Sequence, residues 1–138
     1  MMDGSMRSQK GQSTLEFALA ITVFFMMVLS IVEAGRLFLE YTIVAHAAEE
    51  GARYGSLHGN NCVSVLGLPN CKTTQSAIES YVTAQWPAFT VEATWPASPD
   101  PGTTVAVRVS GTFQPIFWFF ASFPTITYSN TAKMVIGQ

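Results

Sequence analysis

The chain has 138 residues, of which 49% are hydrophobic and only 12% are charged, and its formal net charge is −2 at pH 7. This length allows one small domain beside a membrane anchor. The weakly acidic balance argues against nucleic-acid binding, which needs a basic face. Because the sequence also carries no nucleotide-binding, hydrolase, metalloprotease or CxxC motif, we expect neither an enzyme nor a cofactor.

A long apolar run follows a short basic leader. Residues 17–32 contain no charged side chain, and Arg7 and Lys10 precede them. A membrane core of about 30 Å needs about 20 apolar helical residues, a length that the run reaches with its weakly polar flanks. Because basic residues stay on the cytoplasmic side, we expect one membrane pass with a cytoplasmic N-terminus. The predicted parts are a leader (1–11), a transmembrane helix (12–34) and an extracytoplasmic head (35–138).

The helical pattern continues beyond the apolar run. At about 100° per residue, charged residues gather on one arc and apolar residues on the other. The predicted apolar arc consists of Leu37, Phe38, Tyr41, Val44, Ala45, Ala48 and Ala52. Leu39 and Ile43 fall on the charged side and form a candidate second contact face. Gly51 and Gly55 are the expected C-terminal stops, so we predict one rod over Gln12–Arg53, roughly 60 Å long.

Two carboxylates lie at the ends of the apolar run. Glu16 is at the N-terminal edge, where the simplest interpretation is a solvated interfacial carboxylate that the helix dipole favours. Glu33 has the spacing of an ion pair with Arg36. We expect that pair to be exposed at the membrane exit and to contribute little to stability.

The segment from residue 11 to residue 55 resembles a known family. A basic leader, a glycine, a glutamate five residues later and an aromatic residue resemble the start of a type IV prepilin. VEAGR followed by EGARYG resembles the TadE-like pseudopilins of the tight-adherence (Flp, type IVc) pilus. The resemblance implies that a prepilin peptidase cuts after Gly11, that Gln12 becomes the mature N-terminus, and that Glu16 sets the axial register against a neighbouring subunit. Phe17 replaces the tyrosine typical of the major pilins, which indicates a minor subunit.

The resemblance also implies partners and a location. The expected partners are the prepilin peptidase, other pilins or pseudopilins, the inner-membrane pilus assembly machinery and the lipid bilayer. The expected location is the bacterial inner membrane with a periplasmic head, or an extracellular pilus. Two alternatives stay open: a periplasmic adaptor that keeps its leader and never enters a filament, and a soluble domain released by signal peptidase after Ala34. The mature N-terminus separates the three: Gln12, the intact leader or Gly35.

Two cysteines, Cys62 and Cys71, bracket a short loop. In an oxidising compartment such a pair predicts a disulfide, which contributes on the order of 2–3 kcal/mol. His58 and the two cysteines form a weaker candidate zinc set, because a fourth ligand and a CxxC knuckle are missing. A buried pair of free thiols is the third interpretation. His46 is expected to be solvated on the polar face of the helix.

The remaining sequence predicts a small head. Thr73 or Thr74 is expected to cap a second helix, with Ser76 and Glu79 at capping-box spacing, and Pro87 follows its end. Its apolar face comprises Ala77, Ile78, Tyr81, Val82 and Trp86. Strands are predicted over residues 89–95, 104–113 and 126–136. The predicted fold class is α+β and pilin-like: a long N-terminal transmembrane and amphipathic helix packed on a short helix and a small antiparallel sheet.

Residues 115–124 read PIFWFFASFP, a run dominated by large apolar side chains. One interpretation is a loop that fills the core of the head. The other is an exposed patch that touches lipid headgroups or a neighbouring subunit. The candidate interface residues are Phe117, Trp118, Phe119 and Phe120.

Overall fold

The structure is a computed structural model that describes residues 5–62, 72–116 and 124–137, with residues 5–10 described by their backbone alone. Helix α1 spans Ser5–Leu57 and helix α2 spans Gln75–Gln85. Strands β1 (Thr90–Thr94), β2 (Thr104–Phe113) and β3 (Ile126–Val135) form one antiparallel sheet in the order β1-β2-β3. The predicted α+β class is therefore confirmed, with its long N-terminal helix, short helix and small sheet.

Helix α1 is longer than predicted. Its 53 residues correspond to roughly 80 Å at about 1.5 Å per residue. The prediction that Gly51 and Gly55 stop the helix is wrong, because both glycines lie inside it and face the sheet. A Cβ at Gly51 would lie 2.7 Å from Cγ2 of Val82, and one at Gly55 would lie 3.0 Å from Cγ2 of Val105. These glycines allow close approach between elements and do not end the helix.

The head packs along the C-terminal half of α1, and β2 runs in the opposite direction to it. Gly55, near the end of α1, faces Val105 at the start of β2. Arg36, nineteen positions earlier on α1, lies over the ring of Phe113 at the end of β2, with 5.2 Å from Cζ to the ring centroid. The head therefore covers α1 from about residue 33 onward, and residues 11–32 project beyond it.

The core lies between α1, α2 and the sheet. Alternate residues of β2 point into it, as predicted, and Val105, Val107 and Val109 are fully buried. Small residues on α1 bring the helix close to these valines, so the burial is dense. The buried cluster is Val44, Ala47, Ala48, Ala52, Ile78, Val82, Ala93, Val105, Val107, Val109 and Ile136.

The buried stripe of α1 differs in direction from the predicted arc. Val44, Ala48 and Ala52 are buried as predicted, but Phe38 is 73% exposed and Tyr41 is 45% exposed. The stripe instead includes Glu33, Ala47, Gly51 and Gly55. The sheet packs on the small residues of α1 because they allow the backbones of helix and sheet to approach each other. With α1 in this orientation, the large aromatic residues Phe38 and Tyr41 stay exposed.

Helix α2 packs beside strand β1, at one of the two edges of the sheet. Thr74 is its N-cap and its hydroxyl accepts a hydrogen bond from the Ala77 N–H at 3.3 Å, which confirms one of the two predicted caps. The carboxylate of Glu79 accepts the backbone N–H of Ala93 on strand β1 at 3.0 Å. It thereby engages a backbone donor of an edge strand, a group that otherwise invites pairing with another chain.

A turn before β2 holds the C-terminal end of α1 in place. The backbone N–H of Asn60 donates to the Pro99 carbonyl at 2.9 Å, and its side-chain amide donates to the Asp100 carboxylate at 2.8 Å. Hydrogen bonds from Ser98 and Asn60 hold the pKa of Asp100 below its ordinary value. Gly102 has φ +94° in this turn, a conformation that glycine adopts without strain.

Candidate functional site

The N-terminal half of α1 exposes apolar side chains around its whole circumference. Apart from the half-buried Leu29, the large apolar residues from Leu15 to Val32 are between 37% and 70% exposed. The helix from Gly11 to Leu57 contains an 18-residue window of mean hydropathy 2.4, and none of that window is buried inside the protein. By length and composition this helix can cross a membrane.

The hydroxyl groups in this apolar segment have partners within the helix. The hydroxyl of Thr22 donates to the Ala18 carbonyl at 2.8 Å, and that of Ser30 donates to the Met26 carbonyl at 2.6 Å. Such bonds to the carbonyl four residues earlier satisfy a polar group without water. These two polar residues therefore do not oppose insertion into lipid.

The residues with predicted roles in processing and assembly share this helix. Gly11, Gln12, Glu16 and Phe17 are all exposed. Gln12 and Glu16 are one helical turn apart, and a Cβ added at Gly11 would meet no atom within 4 Å. The positions are accessible and free of packing constraints, and their roles stay predictions.

A polar network, here called the junction, joins α1 to the base of the head. Its members are Glu33, Arg36, Glu40, Phe113, Ile116 and Tyr128. Glu33 is only 6% exposed. One oxygen of its carboxylate, Oε2, accepts from Nη1 of Arg36 at 2.8 Å, and the other, Oε1, accepts the backbone N–H of Ile116 at 2.8 Å. The carboxylate thus bridges a cation on its own helix and a backbone donor just after β2.

The junction continues one turn further along α1. Nη2 of Arg36 lies 3.9 Å from Oε1 of Glu40, and the guanidinium covers the ring of Phe113, within the range of a cation–π contact. The hydroxyl of Tyr128 on β3 donates to Oε2 of Glu40 at 2.7 Å. Both long strands of the sheet therefore contact the same two turns of α1.

The sequence predicted that Glu33 and Arg36 form an exposed ion pair, and this prediction is wrong about the exposure of Glu33. The two side chains do pair, at the predicted spacing, but Glu33 is covered by the head. Its hydrogen bond to Ile116 joins residues 83 positions apart, so no local pattern could indicate it. Phe113, Ile116 and Tyr128 were missed as site residues for the same reason, although the predicted strand boundaries already placed them at the strand ends.

The environment of Tyr128 favours the protonated form of its hydroxyl group. Burial, followed by the hydrogen bond to Glu40 and its negative charge, raises the pKa of Tyr128 from 10.0 to about 12. The phenol is held in its neutral form, in which it can donate to the Glu40 carboxylate. The link between β3 and α1 is therefore intact through the physiological pH range.

An apolar groove lies beside the junction, between α1 and the start of β3. One part has a volume of about 490 Å³ and is lined by Ala34, Leu37, Phe38, Tyr41, Ile126 and Tyr128. A second part of about 280 Å³ is lined by Ser30, Glu33, Ala34, Leu37, Phe113, Pro115 and Ile126. Because the two parts share Ala34, Leu37 and Ile126, they form one groove that follows α1 for about three turns.

Several predicted site residues fall in or beside segments outside the described residues. Cys62 is fully buried, but Cys71 lies outside the described residues, so their disulfide stays a prediction. His58 stacks on Tyr54 with ring centroids 4.3 Å apart, and its Nδ1 lies 2.7 Å from the Tyr54 carbonyl oxygen. That contact engages one ring nitrogen of the candidate zinc ligand. Among the described residues, no group of three metal-ligating side chains lies close enough to hold an ion.

The candidate interface residues have mixed positions. Leu39 is 60% exposed on α1, and Ile43 is half-buried. Residues 117–120 lie outside the described residues. Leu39 therefore remains available for contact with another molecule, and the aromatic run stays a prediction.

The family comparison matches the long helix. Residues 11–53 match the family model described as TadE-like protein, which confirms the family resemblance found in the sequence over that range. The match supports a TadE-like protein of the tight-adherence pilus system. No curated protein matches the chain. No solved structure matches it either.

Proposed function

We propose that this TadE-like chain is a minor pseudopilin of a tight-adherence pilus. In this proposal a prepilin peptidase cuts after Gly11, residues 12–34 anchor the protein in the inner membrane, and the periplasmic head acts in pilus assembly or adhesion. The protein works through helix packing and performs no catalysis. The observation that carries the proposal is the single unbroken helix Ser5–Leu57. This helix contains the residues that match the TadE-like family and continues without a break into the part that packs against the head.

The rigidity of the connection supports an assembly role. No break in α1 separates the apolar segment from the head, and the junction attaches both β2 and β3 to the helix just beyond that segment. Any contact that fixes residues 11–32 against a neighbouring helix therefore also fixes the orientation of the head. A filament or priming complex needs this property, whereas a tethered adaptor could use a flexible linker.

The buried position of Glu33 supports retention of the anchor. Cleavage after Ala34 would remove Glu33 and leave the Ile116 N–H and the Arg36 guanidinium without this partner. Losing this acceptor costs on the order of 1–3 kcal/mol. A released domain would thus lose part of its own packing, which argues against the signal-peptidase alternative.

Mass spectrometry of the mature N-terminus tests the processing step. We expect the native protein to begin at Gln12. Gly11→Leu should block cleavage, whereas Gly35→Leu, at a second helical glycine with no atom within 4 Å of its Cβ position, should be processed normally. An intact leader on the native protein would favour the adaptor, and an N-terminus at Gly35 would favour the released domain.

The assembly step is tested at Glu16. The ammonium of a mature Gln12 and the Glu16 carboxylate of a neighbouring subunit would offset part of each other's desolvation in lipid. Glu16→Ala should therefore leave insertion and cleavage intact but reduce co-purification with other pilus subunits. Glu49→Ala, an exposed glutamate on the same helix, is the matched control. Equal recovery of partners with both variants would refute the register role.

A further inference from the structure

The base of the head lies at the same level as the end of the apolar segment. The hydrogen bond of 2.8 Å from the Ile116 N–H to Glu33 fixes the chain just after β2 beside residue 33 of α1. Ile126, where β3 begins, lines the groove together with Ala34. If residues 12–34 span the bilayer, these parts of the head meet its surface directly.

The exposed apolar surface does not stop where the apolar segment ends. Phe38 is 73% exposed and Tyr41 is 45% exposed on α1, and Ile126 is 43% exposed on the facing strand. All three line the groove, whose walls are almost wholly apolar. The surface is continuous with the apolar helix from Leu15 to Val32, whose side chains are exposed on every side.

The charges at this level are compatible with a low-dielectric neighbour. Glu33, Arg36 and Glu40 are the charged residues of α1 from position 33 to position 41. All three take part in the junction, where they bond to one another or to the head. Each of these charges has an ionic or hydrogen-bonded partner, but two carboxylates and one guanidinium leave a net charge of −1. This surface can therefore border lipid at the polar margin of the bilayer but not enter its hydrocarbon core.

The depth of Phe38 agrees with the interfacial zone of a bilayer, and Tyr41, seven residues or about 10 Å beyond Ala34, lies just outside that zone. Phe38 lies four residues beyond Ala34, a rise of about 6 Å. The polar headgroup zone is about 5–8 Å thick on each side of the hydrocarbon core. Trp and Tyr side chains concentrate in this zone, because one part of the ring system can stay apolar while a polar group meets water. Phe38 has no polar group, so its exposed ring fits the apolar side of this zone.

We propose that the groove formed by Leu37, Phe38, Tyr41, Ile126 and Tyr128 is a lipid-binding surface, with a phospholipid acyl chain of the periplasmic leaflet lying in it. The head then rests on the membrane and does not stand above it. This inference rests on the proposed membrane anchor, and it adds that the head itself contacts lipid. The occupant is a diacyl phospholipid, because the groove continues the lipid-facing surface of the helix and presents no free charge to a headgroup.

Photo-crosslinking in defined vesicles tests the proposal. Full-length protein is reconstituted in phosphatidylethanolamine and phosphatidylglycerol vesicles with p-benzoylphenylalanine at one position at a time: Phe38 or Ile126 in the groove, Phe25 in the anchor, or Thr94 as a distant control. Thr94 pairs with Ala106, seven positions along β2 from Phe113, or about 23 Å at roughly 3.3 Å per residue. Adducts are identified by intact-protein mass spectrometry.

We expect phospholipid adducts at Phe38 and Ile126 to exceed those at Thr94 by roughly tenfold, because acyl chains are confined to the bilayer core and its margin. Adducts at Phe25 without adducts at Phe38 and Ile126 would overturn the lipid-binding surface and leave the anchor intact. Absence of adducts at Phe25 would overturn the anchor itself. Crosslinks from Phe38 or Ile126 to a second copy of the chain would assign the groove to a protein partner and refute the lipid occupant.

Discussion

Replacing Gly51 by alanine would place a methyl group where α1 crosses the sheet. That methyl would lie 2.7 Å from Cγ2 of Val82 and 3.0 Å from Cγ1 of Val107, whereas carbon atoms in favourable contact are about 3.5–4.0 Å apart. Both valines are fully buried and have few alternative rotamers. Val107 also belongs to the central strand, which is paired on both sides, so it cannot withdraw.

The expected change in stability is a difference of two effects. Alanine is about 1 kcal/mol more favourable than glycine inside a helix, and overpacking a dense core typically costs about 1–3 kcal/mol. Because two rigid side chains are affected, we expect the overpacking to dominate and Gly51→Ala to lower the free energy of unfolding by up to about 2 kcal/mol. Gly35→Ala is the matched control on the same helix. Its Cβ would meet no atom within 4 Å, so it should gain up to about 1 kcal/mol.

The assay is equilibrium denaturation of the full chain in detergent micelles, followed by tryptophan fluorescence. Trp86 and Trp95 pack against the core of the head, so their emission reports its unfolding. The midpoint should fall for Gly51→Ala and rise or stay unchanged for Gly35→Ala. A Gly51→Ala protein at least as stable as the native one would refute the close approach of α1 to the sheet.

Three further predictions concern the junction and the loop. Glu33→Ala should destabilise the head by about 1–3 kcal/mol, because the Ile116 N–H and Arg36 lose the acceptor that the buried Glu33 supplies. Glu33→Gln keeps an acceptor and should lose less; equal losses in denaturation would contradict this role. The raised pKa of Tyr128 stabilises the fold fully below its unfolded value of 10.0, and this contribution should disappear as the pH rises from 10.0 to about 12; the test is whether the alkaline loss of stability is smaller in Tyr128→Phe. Cys62→Ser should abolish the predicted disulfide with Cys71 and shift electrophoretic mobility only under non-reducing conditions; peptide mapping that finds both native thiols free would disprove the bridge.

Local patterns were sufficient to predict the elements of the head. The bounds of β2 were predicted at Thr104–Phe113 because its alternation of buried valines with polar residues has a period of two, which burial on one face imposes. Thr74 was recognisable as a cap because its hydroxyl can satisfy an N–H in the first turn of the helix. Such signals depend only on neighbours in the sequence.

The features that local sequence patterns failed to predict depend on long-range packing. Gly51 and Gly55 look like helix stops in isolation, yet they continue the helix because β2 and α2 need the space that a side chain would fill. The outward direction of Phe38 follows from the same docking choice. The burial of Glu33 depends on a backbone N–H 83 residues away, which only the assembled head brings to it.

The position of Glu33 couples folding of the head to the depth of the anchor. A carboxylate near the end of a transmembrane segment resists entry into lipid, at a cost on the order of 2.5–3.5 kcal/mol if it reaches the bilayer centre. In the folded protein Arg36 and the Ile116 N–H compensate that charge, so the folded head can sit directly on the membrane. When the head is unfolded, Glu33 instead needs water, and the helix should shift outward to provide it. If residues 12–34 span the bilayer as proposed, the same carboxylate marks where the anchor ends and where the head begins, and we expect its replacement to affect both boundaries.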